Sequence, residues 1–128
     1  KDKASVKEAV KEVYELFPAL KEKRKSKART LSGGMQRMIE IGRALMSKPK
    51  LILLDEPTAM LAPKIAKEIY QVIKGLKITI VLVDQNVKQA IDVADYVYVL
   101  EMGRNKIDGP RDMFEKGLID VVKDWLIV

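Results

Sequence analysis

Leu51-Ile52-Leu53-Leu54 is an unbroken apolar run that stops abruptly at Asp55-Glu56-Pro57. Four residues are too few for a buried helix, and Pro49 and Pro57 close the run on both sides. It therefore reads as a strand. Because it does not alternate apolar with polar residues, it reads as a strand covered on both faces, the pattern of a parallel sheet. Ile78 to Val83 has the same character. Helical patterns lie between and around these runs, so the order of elements predicts an α/β fold.

The helical patterns are amphipathic. Val6, Val10, Val13, Tyr14 and Phe17 recur at helical spacing and predict a helix over Ser5 to Leu16. Ser5 is placed to cap it, with Glu8 three residues on as in a capping box, and Pro18 to end it. A second helix follows Ser32-Gly33-Gly34 through about Met46, with Met38, Ile41, Leu45 and Met46 on its apolar stripe. Pro63 opens a third at its first turn, where proline is tolerated. Asn86 is placed to cap a short helix through Ala94. Tyr96 to Leu100 and Arg104 to Ile107 read as a hairpin turning at Met102-Gly103, and short helices near Arg111 to Glu115 and Leu118 to Leu126 close the chain. There are no internal repeats, long linkers or low-complexity stretches.

Two stretches carry chemistry. In open α/β sheets, ligands bind at the carboxyl ends of strands. Two adjacent acids there are costly unless a cation or a reacting water uses them. One acid can hold Mg²⁺ through its water shell, and the next can orient or deprotonate an attacking water. Asp-Glu-Pro is also ordinary turn chemistry, so the acids alone leave both readings open. At Ser32-Gly33-Gly34, serine caps a helix whose free N–H groups and positive dipole end attract phosphate, while the glycines let a ligand approach the backbone. A plain cap with flexible glycines is equally consistent with those three residues.

Composition excludes several alternatives. The chain has no cysteine and no histidine, which rules out disulfides, thiolate or imidazole metal sites and a Ser-His-Asp triad within it. No apolar run approaches the roughly 18 residues of a membrane span, and the opening Lys-Asp-Lys does not resemble a secretory leader. The net charge is +6, much of it in Lys21, Lys23, Arg24, Lys25, Lys27 and Arg29. That run is read as a solvated segment, with an anionic surface or nucleic acid as the sharper alternative; no aromatic residue lies in it to stack on bases.

Leu31-Ser32-Gly33-Gly34-Met35-Gln36-Arg37, then Gly42-Arg43-Ala44-Leu45, then Leu51 to Thr58 together strongly resemble the ABC ATPase family. The first stretch looks like its signature and the last like its Walker B strand. The resemblance implies a partial P-loop NTPase core with the Walker A half absent: residues 1–30 as part of the helical subdomain and 31–128 as the C-terminal part of the core. It implies that Ser32, Gly33 and Gly34 touch the γ-phosphate of ATP bound mainly by a second ABC ATPase subunit, with Gln36 near the same nucleotide. Asp55 would hold the Mg²⁺ shell, Glu56 would be the general base, and Ala59 to Pro63 the loop crossing the dimer interface. Gln85 falls where many members carry a switch histidine; it can hydrogen-bond a phosphate but cannot carry a proton and a charge. Gln85, Ala62 in the interface loop, the stretch Val13 to Pro18 and the stretch Asp84 to Ala90 are similar to the branched-chain amino acid importer subfamily.

No G-x-x-x-x-G-K-[ST] loop occurs, and nothing else in the chain offers the backbone cradle and lysine that grip the β- and γ-phosphates. A strand such as Leu51 to Leu54 also expects cover that this length hardly provides, so the native protein is expected to be longer. Three readings follow. The first is an ATP-hydrolysing subunit of an importer, cytoplasmic and peripheral on the inner face of the membrane, paired with a second such subunit and with transmembrane permease subunits, with no nucleic acid partner. The second is a non-transport ABC ATPase acting on nucleic acid or the ribosome. The third is a half-domain that is catalytically inert as it stands.

Overall fold

The computed structural model describes residues 2–115, so the helix expected at Leu118 to Leu126 lies outside the described residues. Two compact units divide the chain at Leu82/Val83.

The first unit opens with α1 (Lys3–Leu16) and α2 (Pro18–Glu22), followed by a 3-10 turn (Ala28–Thr30) and α3 (Gly33–Leu45). β1 (Leu51–Asp55), α4 (Pro63–Gly75) and all but the last residue of β2 (Thr79–Val83) complete it, and β1 pairs with β2 in a two-stranded sheet. The start of α1 differs from expectation. Asp2, not Ser5, is the N-cap, its carboxylate accepting from the Ala4 N–H at 3.4 Å. Lys3 and Ala4 are good helix formers, so the helix runs back until it meets a competent cap. The apolar stripe shifts with it: Ala9 and Val13 are buried while Val6 is exposed. Pro18 ends α1 as expected, and it also starts α2 as that helix's first residue, where its missing N–H has no helical partner to lose.

α3 packs on α1, α2 and α4. Met38 and Ile41 are buried in it, and Ala66, Ile69, Tyr70 and Ile73 give α4 its buried face. The approach of α1 to α3 is close enough that a Cβ on Gly42 would lie 2.6 Å from Val13 Cγ1. β1 corrects the sequence reading. Its burial alternates: Ile52 and Leu54 are buried, whereas Leu51 is 51% and Leu53 72% exposed. Val81 and Val83 of β2 are likewise half exposed. Composition made both faces of these strands apolar, but which face is covered depends on what packs there, and the described residues cover one.

The second unit contains α5 (Val87–Val93), β3 (Tyr96–Glu101), β4 (Arg104–Pro110) and α6 (Asp112–Glu115). Asn86 caps α5 as expected, accepting from the Gln89 N–H at 3.3 Å. β3 and β4 form the expected antiparallel hairpin, with Glu101 opposite Arg104 across Met102-Gly103. Both turn residues have positive φ, 49° and 73°, as a two-residue type I′ turn requires. A bulge between Val99 and Leu100 shifts the register. Val97, Val99 and Ile107 pack with Val87 on Ile91 and Phe114.

On this hairpin the Tyr96 hydroxyl donates to Asp108 Oδ1 at 2.5 Å, and the Asn105 amide donates to Oδ2 at 2.5 Å. The Tyr96 bond, with Asn105 second, holds the Asp108 carboxyl below the ordinary carboxylate value, and the same bond pushes the Tyr96 phenol up. A carboxyl whose folded pKa is depressed contributes stability above its unfolded pKa and loses it as pH falls through the folded value. The hairpin's contribution from Asp108 is therefore expected to vanish only on the acid side of the usual carboxylate range. Tyr96→Phe should move the Asp108 titration upward, part-way because Asn105 remains; carboxyl-carbon NMR reads this, and an unmoved titration would refute the assignment.

Candidate functional site

The N-terminus of α3 is the first element of the site. Ser32 caps it, its hydroxyl accepting from the Met35 N–H at 3.3 Å, while its carbonyl accepts from Gln36 N–H at 2.9 Å. The N–H groups of Gly33 and Gly34 stand at the first two helical positions, where no intrahelical acceptor exists. Ser32 and Gly33 are exposed, and a Cβ on Gly33 would meet nothing within 4 Å. This is an open, positively polarised helix end of a kind that suits an anion.

The two glycines have different physical reasons. A Cβ on Gly34 would lie 2.6 Å from Ile65 Cγ2, so Gly34 is what lets the start of α3 rest against the first turn of α4. Ile65 is β-branched and stiff in a helix, so it yields little. Gly34→Ala is expected to cost about 1–3 kcal/mol, while Gly33→Ala should be nearly neutral for the fold. Adding Ile65→Ala to Gly34→Ala should recover part of the loss in a double-mutant cycle read by denaturant unfolding. Additive effects would show that the contact is not the cause.

Gln36 is exposed on the next turn, and its amide donates to the carbonyls of Ala28 at 3.3 Å and Leu31 at 3.1 Å. It ties the segment entering the helix to the helix itself. Sequence pattern alone did not expose this role.

The second element is the end of β1. Asp55 is its last residue and is exposed; Glu56 follows, half-buried, with φ 43°. A left-handed backbone at a non-glycine residue costs on the order of 1 kcal/mol and persists only where its surroundings hold it. The residues that follow are fixed. Pro57 is fully buried, and the buried Thr58 hydroxyl donates to the Tyr70 hydroxyl of α4 at 3.2 Å. The strand end is thus pinned from beneath, and the two acids stand where the chain leaves the sheet. Beyond them Met60, with φ 60°, is fully exposed before Pro63 starts α4. The Thr58–Tyr70 anchor joins residues from different elements and left no signal in the local sequence.

Gln85 belongs to the second unit and is exposed between β2 and α5. Its neighbours form a tight entry to α5: Asp84 accepts from the Asn86 N–H at 2.9 Å, and the Gln85 carbonyl accepts from Val87 N–H at 3.0 Å.

Taken separately, the donors of each element suit one part of a nucleotide with its cation. The α3 end offers N–H groups and a hydroxyl to phosphate, and Asp55 offers an exposed carboxylate. No group of three or more acidic, cysteine or histidine side chains that could cage a metal occurs among the described residues. A divalent cation here would be held by one carboxylate and its own water, the habit of Mg²⁺.

A mixed helix and strand fold of this kind, with a serine-capped helix and a strand ending in paired acids, is that of part of an ATP-binding cassette. Comparison with known proteins agrees, and the chain belongs to the ABC transporter family, whose model matches residues 1–59. The high-affinity branched-chain amino acid transport ATP-binding protein BraG of Pseudomonas aeruginosa is 52% identical over 106 residues, 80% of this chain and 46% of that protein. The probable branched-chain amino acid transport ATP-binding protein LivF of Archaeoglobus fulgidus is 39% identical over 93% of this chain and 56% of its own length. The arginine transport ATP-binding protein ArtP of Haemophilus influenzae is 41% identical over 75% of this chain and 41% of its own. The crystal structure of a nucleotide-free ATP-binding cassette from an ABC transporter superposes with a TM-score of 0.80 and 30% identity, covering 100% of this chain and 52% of that one. The chain thus spans about half the length of the relatives it matches. Among the described residues no helix is long and apolar enough to cross a membrane.

Proposed function

We propose that the chain supplies the signature and the hydrolytic carboxylates of an ATP-hydrolysing subunit that drives an importer, with branched-chain amino acids as the substrate class. The observation that carries this reading is the pairing of an open, serine-capped helix end with two acids pinned at the end of an apolar strand. The similarity to BraG and LivF supports the substrate class, and the similarity to ArtP keeps amino acids in general within reach. ATP with Mg²⁺ supplies the transferable phosphoryl group. Ser32 and the N–H groups of Gly33 and Gly34 would bind and orient phosphate oxygens of ATP held mainly by a second subunit, and Gln36 keeps that helix end in place. Asp55 would hold the cation through its water shell. Glu56 accepts the proton of the attacking water. Gln85, in the second unit, would keep the role the family pattern gives its position, a hydrogen-bond donor to phosphate that cannot take a proton. A second subunit provides the phosphate loop facing this signature, and permease subunits in the membrane receive the motion of closure. The subunit works at the cytoplasmic face.

Ser32→Arg tests it. Arginine removes the cap acceptor and fills the space above Gly33. In the complete subunit, ATP-driven dimer formation should be lost on size-exclusion chromatography while nucleotide binding to the monomer survives. A variant that still dimerises with ATP would remove Ser32 from the phosphate site.

A further inference from the structure

The excess of positive over negative charge in this chain is concentrated in one segment. Residues 21–29 hold six of the 24 cationic side chains and one of the 18 acids, and so carry five of the six net charges. All nine residues are exposed. The acids that form ion pairs elsewhere do so with Lys11, Arg37, Lys48, Lys106 and Arg111; none pairs with Lys21, Lys23, Arg24, Lys25, Lys27 or Arg29 among the described residues.

The segment is also held in shape. Ser26 N–H donates to Lys23 O at 2.8 Å, Thr30 N–H to Lys27 O at 2.9 Å, and the Thr30 hydroxyl to the same carbonyl at 2.8 Å. Arg24 donates to Lys21 O at 3.3 Å, and Gln36 fastens the far end through Ala28 O. Unpaired like charges repel one another, so crowding them on an ordered turn costs free energy that an anionic partner would recover. Because the turn is already ordered, such a partner does not have to organise it.

We infer that residues 21–29 form a docking surface for the anionic phospholipid headgroups of the membrane. The inference rests on the reading of the chain as part of a membrane transporter's ATP-binding subunit. Clusters of four to eight Lys and Arg are what an anionic leaflet attracts. Four of the six here are lysines, compact charges that bind diffusely rather than through the bidentate fork that picks out one phosphate. The absence of an aromatic residue from the stretch removes the stacking platform of a single-strand binder. The stretch runs directly into Ser32, so docking would set the orientation of the signature helix relative to the bilayer.

The test is sedimentation of the purified protein with vesicles, without nucleotide. Vesicles of phosphatidylcholine alone are compared with vesicles containing about one-third phosphatidylglycerol. Binding is expected to the anionic vesicles only, and to fall as salt rises. Each cation near such a surface is worth about fivefold, so K21E/K23E/K25E should lower the partition coefficient at least about 100-fold. K64E/K67E/K74E on exposed positions of α4 makes the same change in net charge and should have a far smaller effect. Equal loss in both triple variants, equal binding to uncharged vesicles, or tighter binding to duplex RNA at the same salt would each overturn the inference. Vesicle binding needs no nucleotide, so its failure leaves the ATP reading standing, and a failed dimerisation test leaves the vesicle result standing.

Discussion

Replacing Glu56 by Gln is expected to slow ATP turnover in the complete subunit by about 10²–10⁴-fold while sparing nucleotide binding. Glutamine has the same shape as glutamate and can still hydrogen-bond a water, but its amide has no basic oxygen to take the proton. Glu56 has a left-handed backbone, φ 43°, and beside it Pro57 and Thr58 are buried, with Thr58 hydrogen-bonded to Tyr70. Because glutamine matches glutamate in shape, the change is the mildest that removes the base. Steady-state kcat and equilibrium binding of Mg-ATP are the two readouts needed. Unchanged kcat would end the general-base assignment; weakened binding with unchanged kcat would move Glu56 to the role given to Asp55. Asp55→Asn makes the complementary case, since it should shift the Mg²⁺ dependence first.

What could be read from the sequence was the part fixed by near neighbours. Ser32 and Asn86 cap their helices, Pro63 opens α4, and Met102-Gly103 turns the hairpin because each acts on backbone groups within a few residues. The acids at the end of β1 were legible for the same reason: an apolar strand that stops at two carboxylates is a local pattern. Features set by distant partners were not. Ser5 was a plausible cap, yet Asp2 was available one turn earlier. Gly33 and Gly34 look equivalent in the sequence, and only Ile65, 31 positions beyond Gly34, separates the open glycine from the packed one. Likewise nothing near Thr58 announces Tyr70.

β1 marks the boundary between these two kinds of information. Its residues are apolar on both faces, and they pack on one among the described residues, leaving Leu53 72% exposed. An apolar strand face of that size is normally covered in a soluble protein. Its relatives are about twice as long as this chain. The apolar pattern of β1 pointed to cover on both faces, and the described residues supply it on one, as the shortage of cover in a chain of this length led us to expect.

The largest expected effect on stability belongs to Phe17→Ala. Phe17 closes α1, donating its N–H to Val13 O at 2.9 Å, and opens α2, accepting from Leu20 N–H at 3.0 Å. Its ring is fully buried at this junction. Truncating a buried phenylalanine costs about 3–5 kcal/mol, through lost apolar burial and the cavity left behind. Set against the roughly 5–15 kcal/mol of a typical domain, that is a large share. Phe17→Leu keeps most of the volume and should cost less than about 1.5 kcal/mol. The damage should also travel in a defined direction. α2 leads into the basic segment and then into Ser32, so losing the anchor should speed amide exchange at Ser26 and Thr30, whose N–H groups bond Lys23 O and Lys27 O, before it affects the hairpin of the second unit. Denaturant unfolding gives the first number and hydrogen exchange the order of events. If Phe17→Ala unfolds within about 1 kcal/mol of the wild type, the α1–α2 junction is not the keystone of the first unit. If exchange rises equally in both units, the two do not open independently, and the control that Phe17 exerts over the approach to Ser32 is lost as an explanation.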